Sequence, residues 1–185
     1  GKAKVLKYMY QFESRDALKN YIAAFMSQYA KESNFYGVML ADEPESGAYN
    51  QLALVKKILA ELYPNAYAQT CQLPSYSEKH NEGDFNTFKA AIQSYAQKIQ
   101  GNGELGIDYY PYTEETAGFW DQILGKVDTE NGIRKGWLGT MQCVAQTAIQ
   151  YNLDFENTIQ SHAMSEGYTS VSAAELALQM HVSVG

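Results

Sequence analysis

Along the chain, short apolar runs alternate with longer stretches in which apolar side chains recur every three or four residues. That alternation predicts parallel β-strands joined by α-helices. Residues 5–10 read as a first strand. Ser14 is placed to cap a helix running to about residue 30, with Leu18, Tyr21, Ile22 and Phe25 turned inward. Residues 35–41 form a continuous apolar run that stops at Asp42-Glu43-Pro44-Glu45, as expected of a strand buried on both faces that meets solvent at its end. A helix over 48–63 is broken by Pro64-Asn65, and a third strand follows over 66–71. Leu73-Pro74-Ser75-Tyr76 opens a loop into an amphipathic helix over 84–100. A fourth strand is expected over 105–112, a helix over 119–128 and a fifth strand over 136–145. Residues 150–169 carry the weakest pattern and are expected to form a loop with a short helix. The final helix starts at Ser172, where Glu175 three residues on completes a capping box, and runs to about residue 181.

Five strands and about as many helices, with strand ends carrying functional side chains, specify an α/β fold. The pattern fits a doubly wound sheet or most of a barrel. A (β/α)8 barrel typically takes about 250 residues. At 185 residues, the TIM-type barrel reading makes this chain an incomplete barrel of about five to six βα units, one domain over 1–185 truncated at both ends. A small complete α/β domain is the other reading.

Composition narrows the partners. With 14 Lys+Arg against 21 Asp+Glu the net charge is −7, which repels a polyanion, so nucleic acid is not expected as a partner. No apolar run approaches the roughly 20 residues that span a bilayer. Cys71 and Cys143 lack metal-binding or redox spacing and read as buried apolar residues. His80, His162 and His181 are scattered without the spacing of a zinc site. Tyrosine outnumbers phenylalanine 15 to 7, which suits surfaces that combine stacking with hydrogen bonding.

Four segments bear on chemistry. Gly101-Asn102-Gly103-Glu104-Leu105-Gly106 matches a dinucleotide-binding spacing, but it follows a helix and opens a strand, the reverse of the order that phosphate binding needs. It reads as a helix C-cap and turn. Asp42, Glu43 and Glu45 cluster beside Pro44 at a strand end, where like-charge repulsion can keep one carboxyl protonated as a general acid; an acidic, solvated loop capping the next helix is the equal alternative. Asp108-Tyr109-Tyr110-Pro111-Tyr112 ends another strand with a carboxylate and phenols able to bind hydroxyls, or simply to pack the sheet rim. Gln142 is the polar group within the expected fifth strand, there to bond substrate or structure.

Taken in order, these segments resemble glycoside hydrolases of the large retaining (β/α)8 clan, in particular the bacterial barrels described as β-galactosidase-like. The run from Phe35 to Pro44 is similar to that clan's fourth strand, with Glu43 in the place of the acid/base. The segment from Gly106 to Tyr112 is similar to its sixth strand, and the stretch from Ala174 to Gln179 to the helix before its eighth. The resemblance implies a glycosidase acting on oligosaccharide or polysaccharide, with no cofactor or metal and with carbohydrate as its partner. Its catalytic carboxylates are Glu43, Asp108 and Asp42, and its substrate contacts Tyr109, Tyr110, Gln142, Glu45 and Trp120. It also suggests an extracellular or periplasmic setting. One departure matters: the clan's seventh strand supplies the nucleophilic carboxylate, and the expected fifth strand carries Gln142 instead. The alternative implied is therefore a catalytically inactive carbohydrate-binding barrel. Otherwise Asp108 or Asp42 acts as base on an inverting route, which needs carboxyl groups about 6.5–9.5 Å apart.

Overall fold

The computed structural model describes residues 12–77, 84–101, 103–112, 136–163 and 167–184. The expected strand over 5–10, the expected helix over 119–128 and Trp120 lie outside the described residues. Within them are α1 (Arg15–Met26), β1 (Gly37–Asp42), a 3-10 turn (Ser46–Ala48), α2 (Tyr49–Leu62), β2 (Tyr67–Gln72), α3 (Phe85–Ile99), β3 (Glu104–Asp108), α4 (Trp137–Gln150), β4 (Asp154–Thr158) and α5 (Ala173–Val184).

Local chemistry accounts for the helix starts. Ser14 Oγ accepts from Ala17 N at 3.1 Å, and Asp84 accepts from Thr87 N at 2.7 Å, so each satisfies a first-turn N–H that has no partner within its helix. The capping box of α5 is reciprocal: Ser172 N donates to Glu175 Oε2 at 2.8 Å and Glu175 N to Ser172 Oγ at 3.3 Å. At the end of α3, Gly101 and Gly103 adopt φ of 70° and 96°, the left-handed turn that suits glycine and that the sequence order predicted.

The sheet is parallel throughout, in the order β1-β2-β3-β4. Because βαβ crossovers are right-handed, strands laid down in sequential order place their connecting helices on one face. The packing agrees. Leu18, Ile22 and Met26 of α1 meet Val55, Ile58 and Leu59 of α2 against Val38 and Ala68, while Leu105 and Ile107 lie among Leu52, Phe88, Ile92, Trp137 and Val144. The described strands form one four-stranded parallel sheet, an α/β fold with which a partial barrel is compatible.

Two expectations need correction. Tyr21 and Phe25 are about half exposed; the inward stripe of α1 is Leu18, Ile22 and Met26. More consequentially, the expected fifth strand over 136–145 is helical. Its buried residues, including Trp137, Thr140, Met141, Val144 and Ala148, recur at three and four, the spacing of one helix face. Asn152, with φ of 52°, takes the left-handed position after that helix, and Leu153 N bonds back to Ala148 O at 2.9 Å. The chain then enters β4 at Asp154, inside the segment expected to be a loop.

Candidate functional site

Strand β2 separates the two faces of the sheet. Side chains alternate along a strand. Thr70 bonds to Tyr95 of α3 at 2.6 Å and Gln72 to Tyr49 of α2 at 3.2 Å, so Ala68, Thr70 and Gln72 face the helices. Tyr67, Gln69 and Cys71 face the opposite side, toward Glu156 and Thr158 of β4. Glu156 accepts from Tyr67 Oη at 2.8 Å and from Gln69 Nε2, and Cys71 Sγ lies 3.7 Å from Thr158 Oγ1.

Those contacts cross β3, and Gly106 permits them. A Cβ there would sit 2.7 Å from Thr70 O and 3.4 Å from Glu156 Oε2. The pairing puts Asp42, Cys71, Gly106 and Glu156 in one row across the four strands.

Asp42 owes its place in that row to an irregularity in β1. The partners run Met39 with Gln69 but Ala41 with Thr70, so one extra residue is accommodated between Met39 and Ala41. Without it Asp42 would pair with Gln72 on the helix-covered side. With it, Ala41 enters the apolar core and Asp42 pairs with Cys71, a side-chain reversal of the kind bulges produce beside functional sites. Asp42, Cys71 and Asp108 each offer a ligand atom within 4.8 Å of the other two, a mixed oxygen and sulfur set with room for a divalent cation. Burial first, then the neighbouring Asp108, pushes the Cys71 thiol up to about 12. It is therefore a neutral thiol near pH 7, unsuited to act as a nucleophile.

Glu43 stands just beyond this row. It is exposed, its N–H donates to Cys71 O at 2.7 Å, and its φ is 51°, a left-handed conformation that costs a non-glycine residue about 1–2 kcal/mol. Such strain at a strand end is characteristic of functional positions. Glu45 does not join this group: it precedes the 3-10 turn and lines a cavity of about 530 Å³ between that turn and α3.

Tyr109 is buried and meets Tyr76 edge-on, with ring centroids 4.9 Å apart at 87°. Tyr110 is half-buried and meets Tyr168 at 6.2 Å and 89°. Burial raises both Tyr109 and Tyr110 to about 12, the latter also through the charge of Asp108. Beyond the strand ends, Gln160 spans β3 and β4. It accepts from Tyr112 N at 3.0 Å, donates to Tyr112 O at 2.9 Å, and is held in turn by Gln179 of α5.

Gln142 is the clear misplacement. It is an exposed residue of α4, on a groove shared with Lys89, Gln93 and Gln146, and does not approach the carboxylates. The residue that sequence reasoning missed is Glu156. The apolar-polar alternation of Leu153-Asp154-Phe155-Glu156 is its signal in the sequence, obscured by the strand-like pattern over 136–145. His162 and His181 are exposed; His80 lies outside the described residues.

Comparison of the chain with protein-family models, with curated proteins and with solved structures finds no match.

Proposed function

We propose that this chain forms the substrate-binding part of a (β/α)8 barrel that hydrolyses glycosidic bonds in oligosaccharide or polysaccharide. The observation that carries the reading is the gathering of Asp42, Asp108 and Glu156, from three different strands, on the sheet face opposite the helices, with Glu43 on the loop at its edge. Chemistry in parallel α/β folds sits at the carboxyl ends of strands. Glycosidic cleavage needs one carboxyl group to protonate the leaving oxygen and a second, ionised, to stabilise or attack the oxocarbenium-like centre.

Glu43, exposed and on the loop, is the proton donor. Asp108 serves as base or orients the sugar hydroxyls. Asp42 and Asp108 lie too close together to hold an inverting enzyme's water between themselves; their separation is nearer to that of a retaining pair. Glu156 supplies on β4 the carboxylate that Gln142 could not, fixed by the donors Tyr67 and Gln69. Tyr109 and Tyr110 flank Asp108 at the rim.

Hydrolysis of a panel of aryl glycosides and neutral oligosaccharides by the protein, with Glu43→Gln and Glu156→Gln beside it, tests the assignment. Turnover lost in both variants supports it. Oligosaccharide binding without turnover in the unmodified protein rejects hydrolysis in favour of a binding barrel. Turnover unaffected by Glu43→Gln removes Glu43 as the acid.

A further inference from the structure

At the rim of the open face, four tyrosines from three segments come together. Tyr109 and Tyr110 follow β3, Tyr76 lies on the loop after β2, and Tyr168 lies beyond β4. Tyr109 is 6% exposed whereas Tyr76, standing perpendicular to it, is 50% exposed. The buried ring thus anchors Tyr76 while half of the Tyr76 surface stays open to solvent. Tyr110 and Tyr168 repeat the edge-to-face arrangement, and both Tyr168 and Asp108 lie within electrostatic reach of Tyr76, as Asp108 does of Tyr110. Edge-to-face packing fixes ring orientation and adds about 0.5–1.5 kcal/mol per pair. A rim of fixed, part-exposed rings beside hydrogen-bonding groups has the composition of a small-molecule subsite.

The charge around it restricts the ligand. Asp42, Asp108 and Glu156 share the open face and Glu43 adjoins it. Among the described residues, the buried cation Lys56 is committed to Glu104, with Nζ to Oε1 at 2.7 Å. A carboxylated or sulfated sugar brought to this rim meets several like charges in a partly desolvated site, at a cost rather than a gain.

We propose that Tyr76, held by Tyr109, is a stacking platform for a neutral pyranose unit, whose C–H face lies on the ring while its hydroxyls reach Asp108. The inference rests on the carbohydrate reading above and adds to it a subsite and a class of sugar. Neither Tyr76 nor Tyr168 is placed in the bond-cleaving machinery.

Binding is measured by calorimetry in the full chain carrying Glu43→Gln, so that no probe is consumed. Cellohexaose, xylohexaose and a β-1,4-galactan hexasaccharide are the neutral probes, and hexagalacturonic acid the acidic one. Tyr76→Ala is expected to weaken the best neutral probe about three- to ten-fold, the range that one aromatic contact provides, whereas Tyr76→Phe keeps the ring and is expected to stay within two-fold. Binding that Tyr76→Ala leaves unchanged overturns the platform, whether or not the unmodified protein hydrolyses sugars. The acidic hexamer binding as tightly as the neutral probes overturns the choice of a neutral sugar. No binding of any neutral probe also overturns the platform; hydrolysis of small aryl glycosides, which extend no sugar onto Tyr76, then reports separately on the hydrolase reading. Binding that responds to Tyr76→Ala in a protein without turnover supports the platform and rejects the hydrolase.

Discussion

The two faces of the sheet are built by the same strands yet do different work. On the covered face Thr70, Leu105 and Ile107 are fully buried, and both Thr70 and Gln72 bond to tyrosines of the helices. On the other face Met39 is half exposed, while Asp42, Gln69, Cys71, Asp108, Glu156 and Thr158 bring polar groups together from four strands. Burying several carboxylates on one surface opposes folding unless each finds partners or ligand. The covered face therefore holds the molecule together, and the open face offsets part of that stability by gathering carboxylates.

This division can be broken from either side. If Glu43 is the proton donor proposed above, the largest effect is expected at Glu43→Gln, which would lower turnover about 10²–10⁴-fold while the urea midpoint stays in place; steady-state kinetics beside denaturation curves check both halves. On the covered face, Trp137→Ala removes a fully buried indole and is expected to cost about 3–5 kcal/mol of stability, read from urea unfolding.

The Lys56–Glu104 pair sharpens the rule, because it is charged yet its side chains are 1% and 0% exposed. Lys56→Ala strands Glu104 and is expected to cost about 3 kcal/mol, whereas Lys56→Met with Glu104→Leu recovers most of it. The same urea series distinguishes the two.

Alkaline titration probes the buried phenols and the thiol. Burial raises Tyr49 and Tyr109 to about 12 from 10.0, and raises Cys71 to about 12 from 9.0, with Asp108 adding to it. Each folded value lies above the unfolded one, so the stability each group contributes is complete below 9.0 or 10.0 and is lost as pH rises toward 12. Stability is expected to start falling near pH 9, by about 1.4 kcal/mol per pH unit for each group within its window. Because burial also raises the Cys143 thiol from 9.0, it takes Cys71→Ala together with Cys143→Ala to delay the onset by about one pH unit.

The smallest effect is at the strained residue itself. Glu43→Gly relieves the left-handed backbone and is expected to stabilise the protein by about 1 kcal/mol, with activity lost as in Glu43→Gln. A destabilised Glu43→Gly protein would show that φ at this position is not under strain.

Much of this fold was legible because local signals and packing agreed. Ser14, Asp84 and the Ser172/Glu175 box marked helix starts that the structure keeps, and the apolar run before Asp42 marked a true strand. Asp42, Glu43 and Asp108 stand out in the sequence because an apolar run that ends in carboxylates conflicts with simple packing, and that conflict is visible in one dimension; the run before Asp42 is nonetheless only partly buried, with Met39 half exposed. The segment over 137–150 is ambiguous in sequence because a short apolar run with one glutamine satisfies strand and helix patterns alike. The competition was decided by contacts: Trp137, Met141 and Val144 reach one core only if the segment is helical. Misplacing it displaced the next strand and hid Glu156.

The sequence by itself determined the alternation of strands and helices, the caps, and the acidic character of the strand ends, since each depends on residues within a few positions of one another. Tertiary structure alone decided which carboxylates share a face. That choice turns on one extra residue between Met39 and Ala41, which moves Asp42 from the helix side to the open side, and on the absence of a side chain at Gly106, which lets Gln69 and Glu156 meet across β3. Strand register and approach between segments far apart in the chain set both, and neither leaves a local trace.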